Sequence, residues 1–145
     1  MNIVGHGIDL VDVTEARRWI EDPRDPLIPR CFVQEELDDV GEGPGRVERL
    51  SGRLAAKEAV LKALGTGFGG GVAISDVVIS RAPGTPPQVR LLRGAKRAAA
   101  ERGVTTWQLS ISHTRGMAVA SAIAISSTLY VEGSERDCSV SAGPR

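Results

Sequence analysis

An α+β domain is the fold class that this 145-residue sequence predicts, and three observations carry the prediction. Residues 2–11 read as a strand, and residues 105–113 and 117–126 as two more joined by the tight turn Thr114-Arg115-Gly116. Between these extended ends, Arg46 to Leu64 is the strongest helix in the chain, rich in Leu, Ala, Glu, Lys and Arg. After that helix, VAISDVVIS (72–80), the turn RAPGTPP and QVRLL (88–92) suggest a hairpin.

The elements follow in order. NIVGHGIDLV (2–11) is an apolar strand that carries two glycines, His6 and, near its end, Asp9. Thr14 is placed to cap a short helix through about Ile20. EDPRDPLIPR (21–30) holds three prolines and is expected to be a loop, while VQEELDDV (33–40) reads as a short helix broken by GEGPG. Gly94 to Gly103 is a small amphipathic helix bounded by glycines. In the last strand Val119, Ile123 and Ile125 share one face and Ala118, Ala120, Ala122 and Ala124 the other. Both faces are apolar, so it is expected to be covered on two sides. The domain is placed at 1–126, followed by a polar, patternless tail at 127–145 that is expected to be loose.

Composition excludes several function classes. At 15.3 kDa and 41% hydrophobic residues the chain fits one domain with a real core. Aromatics are only 3%, so Val, Ile, Leu and Ala must build that core and base-stacking platforms for single strands are lacking. Lys plus Arg (18) equals Asp plus Glu (18), which gives no global field toward nucleic acid or a membrane. Cys31 and Cys138 form no C-x-x-C, as in a reduced intracellular protein. With no signal-peptide pattern and no apolar run near ~18 residues, the expected address is the cytoplasm.

The long helix has four sides. Leu50, Leu54, Leu61 and Leu64 make one stripe, and Gly52, Ala55, Ala56, Ala59 and Ala63 a face almost without bulk. Such a face permits close approach of another element or subunit. Two charged seams lie between them: Arg49, Arg53 and Lys57 on one side, Glu58 and Lys62 on the other. An ordinary reading makes Glu58–Lys62 a helix pair worth about 0.3–0.5 kcal/mol and leaves the basic row solvated. The other reading makes the seams chemical, and it needs support from outside the helix.

That support comes from Asp9 and from SISH (110–113). A carboxylate in an otherwise apolar strand needs a cation, donors or a metal. Two separated carboxylates, Asp9 and Glu58, with waters and substrate phosphates, are a usual way to hold Mg²⁺. Strand alternation puts Ser112 and His113 on opposite faces and no G-x-S-x-G elbow is present, which argues against a Ser–His nucleophile. Two His and two Cys, none at ligand spacing, argue against zinc. His113-Thr114 at a strand end is instead suited to donating to a phosphate. The match of Gly65 to Gly70 to G-x-G-x-x-G is not a dinucleotide fingerprint. It closes a helix rather than opening one, and Gly65 is placed as the C-cap residue.

Taken in order, GIDLV, RCFVQEEL, GRLAAKEAVLKALGTG and LSISHT with the Ala-rich strand after it resemble the holo-[acyl-carrier-protein] synthases. These are the small members of the 4′-phosphopantetheinyl transferase superfamily, and the resemblance covers about residues 3–125. It implies an antiparallel sheet packed around one long helix, homotrimers and active sites at trimer interfaces. The implied reaction transfers 4′-phosphopantetheine from coenzyme A to a serine of acyl carrier protein, with Mg²⁺ as cofactor and adenosine 3′,5′-bisphosphate as by-product. By resemblance Asp9 and Glu58 are metal ligands, Glu58 and Lys62 catalytic, and Arg53, Lys57, Lys62, Gly65, His113 and Thr114 coenzyme-binding. One departure stands out: the family commonly has Arg six residues after the metal-binding Asp, on the helix that meets the carrier, and here Glu15 stands there. Two rival readings are a Mg²⁺-dependent nucleotide hydrolase and a non-catalytic binding module. A hydrolase needs no protein acceptor, and a module has no use for Asp9, Glu58, Lys62 and His113 together.

Overall fold

The computed structural model describes residues 1–66 and 70–127. In chain order the elements are β1 (Asn2–Asp12), α1 (Val13–Ile20), α2 (Leu27–Cys31), α3 (Gln34–Val40), α4 (Arg46–Leu64), a 3-10 turn (Ile74–Asp76), β2 (Val77–Ser80), β3 (Gln88–Leu91), α5 (Arg93–Glu101), β4 (Thr106–Thr114) and β5 (Met117–Ser126). Three strands pair antiparallel in the order β1-β5-β4, and β2 and β3 form a separate antiparallel hairpin. The α+β class and the central long helix are as the sequence predicts.

Helix α4 is set by glycines at both ends: Gly45 precedes it at φ 80° and Gly65 follows at φ 66°, its N–H donating to Lys62 O at 3.0 Å. Its small-residue face lies on the inner face of the three-stranded sheet. There Ala55, Ala56 and Ala59 meet Ala118, Ala120, Ala122 and Ala124, none more than 1% exposed. Strand β1 comes closest of all. A Cβ at Gly5 would lie 2.0 Å from Ala63 O, and one at Gly7 2.0 Å from Ala59 O. Only glycine permits that backbone approach. Of the two partners that this face permits, another element or a neighbouring subunit, the chain itself supplies the first, because the alanines of β5 and the glycines of β1 are its complement.

The leucine side of α4 is buried as well. Leu61 and Leu64 join Val77, Ile79, Ala95 and Ala99 in one cluster, while Leu50 joins Val13, Phe32, Val40 and Val47 in a second. The helix is thus a core element with two covers, which is why its charges border packed surface.

Four expectations need correcting. Asp12, not Thr14, caps α1, its Oδ1 accepting from Glu15 N at 3.0 Å. The proline-rich loop ends in the short helix α2. The strand expected over 72–80 is regular only from Val77, since residues 74–76 form the 3-10 turn. Among the described residues, nothing covers the outer face of β5. Val119 and Ile123 are half-buried, and alongside them Ile8 and Leu10 of β1 are 56% and 62% exposed. The tail expected from 127 onward lies, beyond Ser127, outside the described residues.

Candidate active site

The two glycines that seat β1 on α4 also bring the first set of predicted residues together. Asp9 follows Gly7 on the same face of β1 and reaches the α4 seam, where Lys62 Nζ donates to Asp9 Oδ1 at 2.7 Å and to Ile8 O at 3.0 Å. The expected Glu58–Lys62 helix pair gives way to this longer-range one. Glu58 is half-buried, and burial, reinforced by the Asp9 carboxylate, pushes its carboxyl above the ordinary range, with Lys62 opposing. Two like-charged carboxylates with one flexible ammonium between them make a site that attracts a cation.

The donor set decides which cation fits. Among the described residues no group of three or more His, Cys, Asp or Glu gathers to hold a metal alone. Two partly buried carboxylates, too few to enclose an ion, leave positions for waters and phosphate oxygens, which suits Mg²⁺ rather than a transition metal held by a full protein cage. The residues present fit that group.

The second set lies elsewhere. Arg53 and His113 line a cleft of about 180 Å³ with Asp39, Glu48, Arg49, Arg81 and Ile111. In it Asp39 pairs with Arg53, and Glu48 with Arg17 outside the cleft, so that three guanidinium groups face two carboxylates that already have partners. Arg53 is 8% exposed and donates to Asp39, while its Nε has no hydrogen-bond partner among the described residues. Asp39 also accepts from Arg81 N at 3.2 Å. The Arg49 guanidinium is taken up by the carbonyls of Val40, Pro44 and Glu42 at 2.9, 2.9 and 3.1 Å, so it braces the α3–α4 loop. What remains is a cationic cleft with an under-used guanidinium, a His and Arg81, suited to an anion. Thr114 pairs across from Met117, on the opposite face from His113, and is not among the residues lining the cleft. Larger hollows of about 410 and 460 Å³, beside Arg17 and Glu48 and beside Pro86 and Trp107, hold none of the predicted residues.

Lys57 is a correction. It is fully buried, with Nζ 2.7 and 2.6 Å from the Glu36 carboxylate oxygens, a further bond to Val77 O and the Phe32 ring 5.2 Å away. All three ammonium hydrogens are used, so Lys57 has none left for a coenzyme phosphate. Glu36 in turn accepts from Val33 N at 3.0 Å and Ile79 N at 2.9 Å. The pair locks α3, α4 and β2 together. The signal for it was present in RCFVQEEL, whose Phe32 and Glu36 are its partners. Asp39 and Arg81 were missed, since each stands at the end of an element with no pattern to mark it.

Gly65 holds its predicted capping place. Arg102 reaches the same helix end, donating to Ala63 O at 3.0 Å and to Val4 O at 2.5 Å. Residues 67–69 of the glycine run lie outside the described residues.

The two sets flank α4. Lys62 follows Arg53 by nine positions, which is about 180° around a helix. Asp9 is on one edge strand of the β1-β5-β4 sheet and His113 on the other. The helix body, seated without a gap on the sheet, stands between them.

Residues 5–121 match the 4′-phosphopantetheinyl transferase superfamily. The chain is 45% identical over 123 residues to the holo-[acyl-carrier-protein] synthase of Desulforudis audaxviator, covering 85% of this chain and 93% of that one. It is 46% identical over 124 residues to that of Beutenbergia cavernae, covering 84% and 97%. A holo-(acyl-carrier-protein) synthase from Bacillus anthracis, solved in complex with CoA (3′,5′-ADP), superposes with a TM-score of 0.70 at 29% identity over 86% of this chain and 98% of that one. With Asp9, Glu58 and Lys62 gathered on one side of α4 and a cationic cleft on the other, the chain belongs to the holo-[acyl-carrier-protein] synthase family of the 4′-phosphopantetheinyl transferase superfamily.

Proposed function

We propose that this protein transfers the 4′-phosphopantetheine group of coenzyme A to a serine of apo acyl carrier protein, with Mg²⁺ at Asp9 and Glu58, and releases adenosine 3′,5′-bisphosphate. The observation that carries the reading is the meeting of Asp9, Glu58 and Lys62 where β1 packs on α4. Mg²⁺ bound there supplies charge neutralisation on the coenzyme pyrophosphate. The chain's own residues do the rest.

Glu58, with a carboxyl raised above its ordinary range, is the proton acceptor for the attacking serine. The serine oxygen attacks the β-phosphate, its proton passes to Glu58, and the bond to the leaving nucleotide phosphate breaks. Lys62, one turn along the helix, brings an ammonium to the charge that develops on that leaving group. Arg53, Arg81 and His113 hold the nucleotide end in the cleft, so that the reaction is mostly positioning and electrostatics.

Because the nucleotide cleft and the carboxylate pair lie on opposite sides of α4, one chain does not assemble the whole site. A homotrimer, in which the cleft of one subunit faces the Asp9 edge of the next, brings them together. The sheet face with Ile3, Ile8 and Leu10, which the described residues leave uncovered, supports such an assembly. Carrier docking is altered relative to the family pattern. Glu15 is exposed at the start of α1, and Arg17 is paired with Glu21 at 2.7 Å and Glu48 at 3.4 Å. The α1 surface therefore offers less positive charge to an acidic carrier.

The test is direct. Purified protein with Mg²⁺ and coenzyme A adds the mass of one phosphopantetheine group to apo acyl carrier proteins of fatty-acid or polyketide systems, read by intact-mass spectrometry. Absence of that gain on every carrier, with coenzyme A consumed or not, rejects the reading.

A further inference from the structure

The geometry points to a competition: Lys62 and the divalent cation contend for Asp9, so that metal binding releases the Lys62 ammonium to the coenzyme phosphates. This rests on the metal reading above. The Lys62 ammonium sits on Asp9 Oδ1 at 2.7 Å and on Ile8 O at 3.0 Å, and its side chain is 54% exposed. A lysine held this way is not available to a phosphate. A cation shared by Asp9 and Glu58 neutralises the same carboxylate and repels the ammonium. The four-carbon stem of Lys62 lets it swing without moving α4.

Two further observations make the swing one-directional. Glu58, four residues earlier on the same helix and the ammonium's alternative acidic neighbour, is the other carboxylate the cation uses, so the cation leaves Lys62 no carboxylate on this seam. Apart from Glu58, whose carboxyl feels its charge, Lys62 has one acidic partner among the described residues, its ion pair with Asp9. A phosphate is then its natural counter-ion. Because coupling is reciprocal, a phosphate that draws Lys62 away also favours the cation at Asp9. Lys62 is in this account a positioning group for the metal before it acts on substrate.

The probe is Mn²⁺ alone, titrated by electron paramagnetic resonance into the full chain. Wild type binds it, Asp9→Asn loses binding, and Lys62→Met binds about two- to fivefold more tightly, the range set by an exposed ion pair. A second readout is the rate at which Lys62 is acetylated by an N-hydroxysuccinimide ester, followed by peptide mass spectrometry. Saturating Mg²⁺ raises that rate in wild type by a similar factor. In Asp9→Asn the rate is already high and does not respond to Mg²⁺. If wild type binds Mn²⁺ but Lys62→Met binds no better, or if Mg²⁺ leaves Lys62 acetylation unchanged, the competition is overturned. If neither wild type nor Lys62→Met binds Mn²⁺, the metal reading itself fails and takes this inference with it.

Discussion

Glu58 is a residue whose place in the fold opposes its stability. A carboxyl half-buried beside a second carboxylate holds its proton more tightly when folded than when unfolded. Its contribution to stability is therefore full below the ordinary carboxylate pKa and is lost as pH rises through the raised value. At neutral pH the ionised form strains the fold, and that is the form a proton acceptor requires. Glu58→Gln removes the charge while keeping the shape. Measured with a chelator present, its Tm at pH 7.5 rises by about 2 °C over wild type. The gain fades as the buffer is taken below about pH 4, where wild-type Glu58 is protonated too. Turnover of the same variant falls by about 10²–10⁴-fold. A variant that is slower but no more stable at pH 7.5 would show that Glu58 is not held in this opposed state.

At the scale of the element, α4 owes its place to a buried ion pair as much as to its alanines. Lys57 and Glu36 are both fully buried, and removing one partner leaves an uncompensated charge. Lys57→Met is expected to cost about 3–5 kcal/mol in denaturant unfolding, with Glu36→Gln added to it recovering part of the loss. Additive losses in the double variant would mean the two are not a unit. The bounds of α4 were legible because glycines punctuate both ends, and Asp9 and Glu58 because a carboxylate in an apolar strand demands a partner. The fate of Lys57 was not legible, since a helical wheel gives an angle and says nothing of Glu36, 21 positions earlier. The same limit hid the partner of the small-residue face. Gly52 to Ala63 reads alike whether a neighbouring subunit or the chain's own β1 and β5 lies against it. Helix α2 was obscured by prolines, whose turn signal outweighs five residues of helix.

At the scale of the whole molecule, the proposed trimer answers both a sheet face that the described residues leave open and a site divided by α4. The outer face of β1-β5-β4 carries Ile8 and Leu10, 56% and 62% exposed, beside Val119 and Ile123. Association through that face would cover them, and Leu10→Asp is expected to reduce the mass seen by light scattering from a trimer to a monomer. The division of the site permits a sharper test. If Asp9 and Glu58 of one subunit work with Arg53 and His113 of the next, Glu58→Gln and His113→Ala each spoil a different half of every site. Homotrimers of either variant are then inactive or nearly so. Mixed trimers, made by co-expression in equal amounts, contain sites that join an intact carboxylate pair from one variant to an intact cleft from the other. Random assortment around a ring makes about a quarter of the sites whole, so about a quarter of wild-type activity returns. A site contained in one chain predicts no recovery, because each chain would carry a lesion of its own. Activity at the level of the separate variants would thus place both halves in the same subunit, and it would require a path around α4 that its packing on the sheet does not offer.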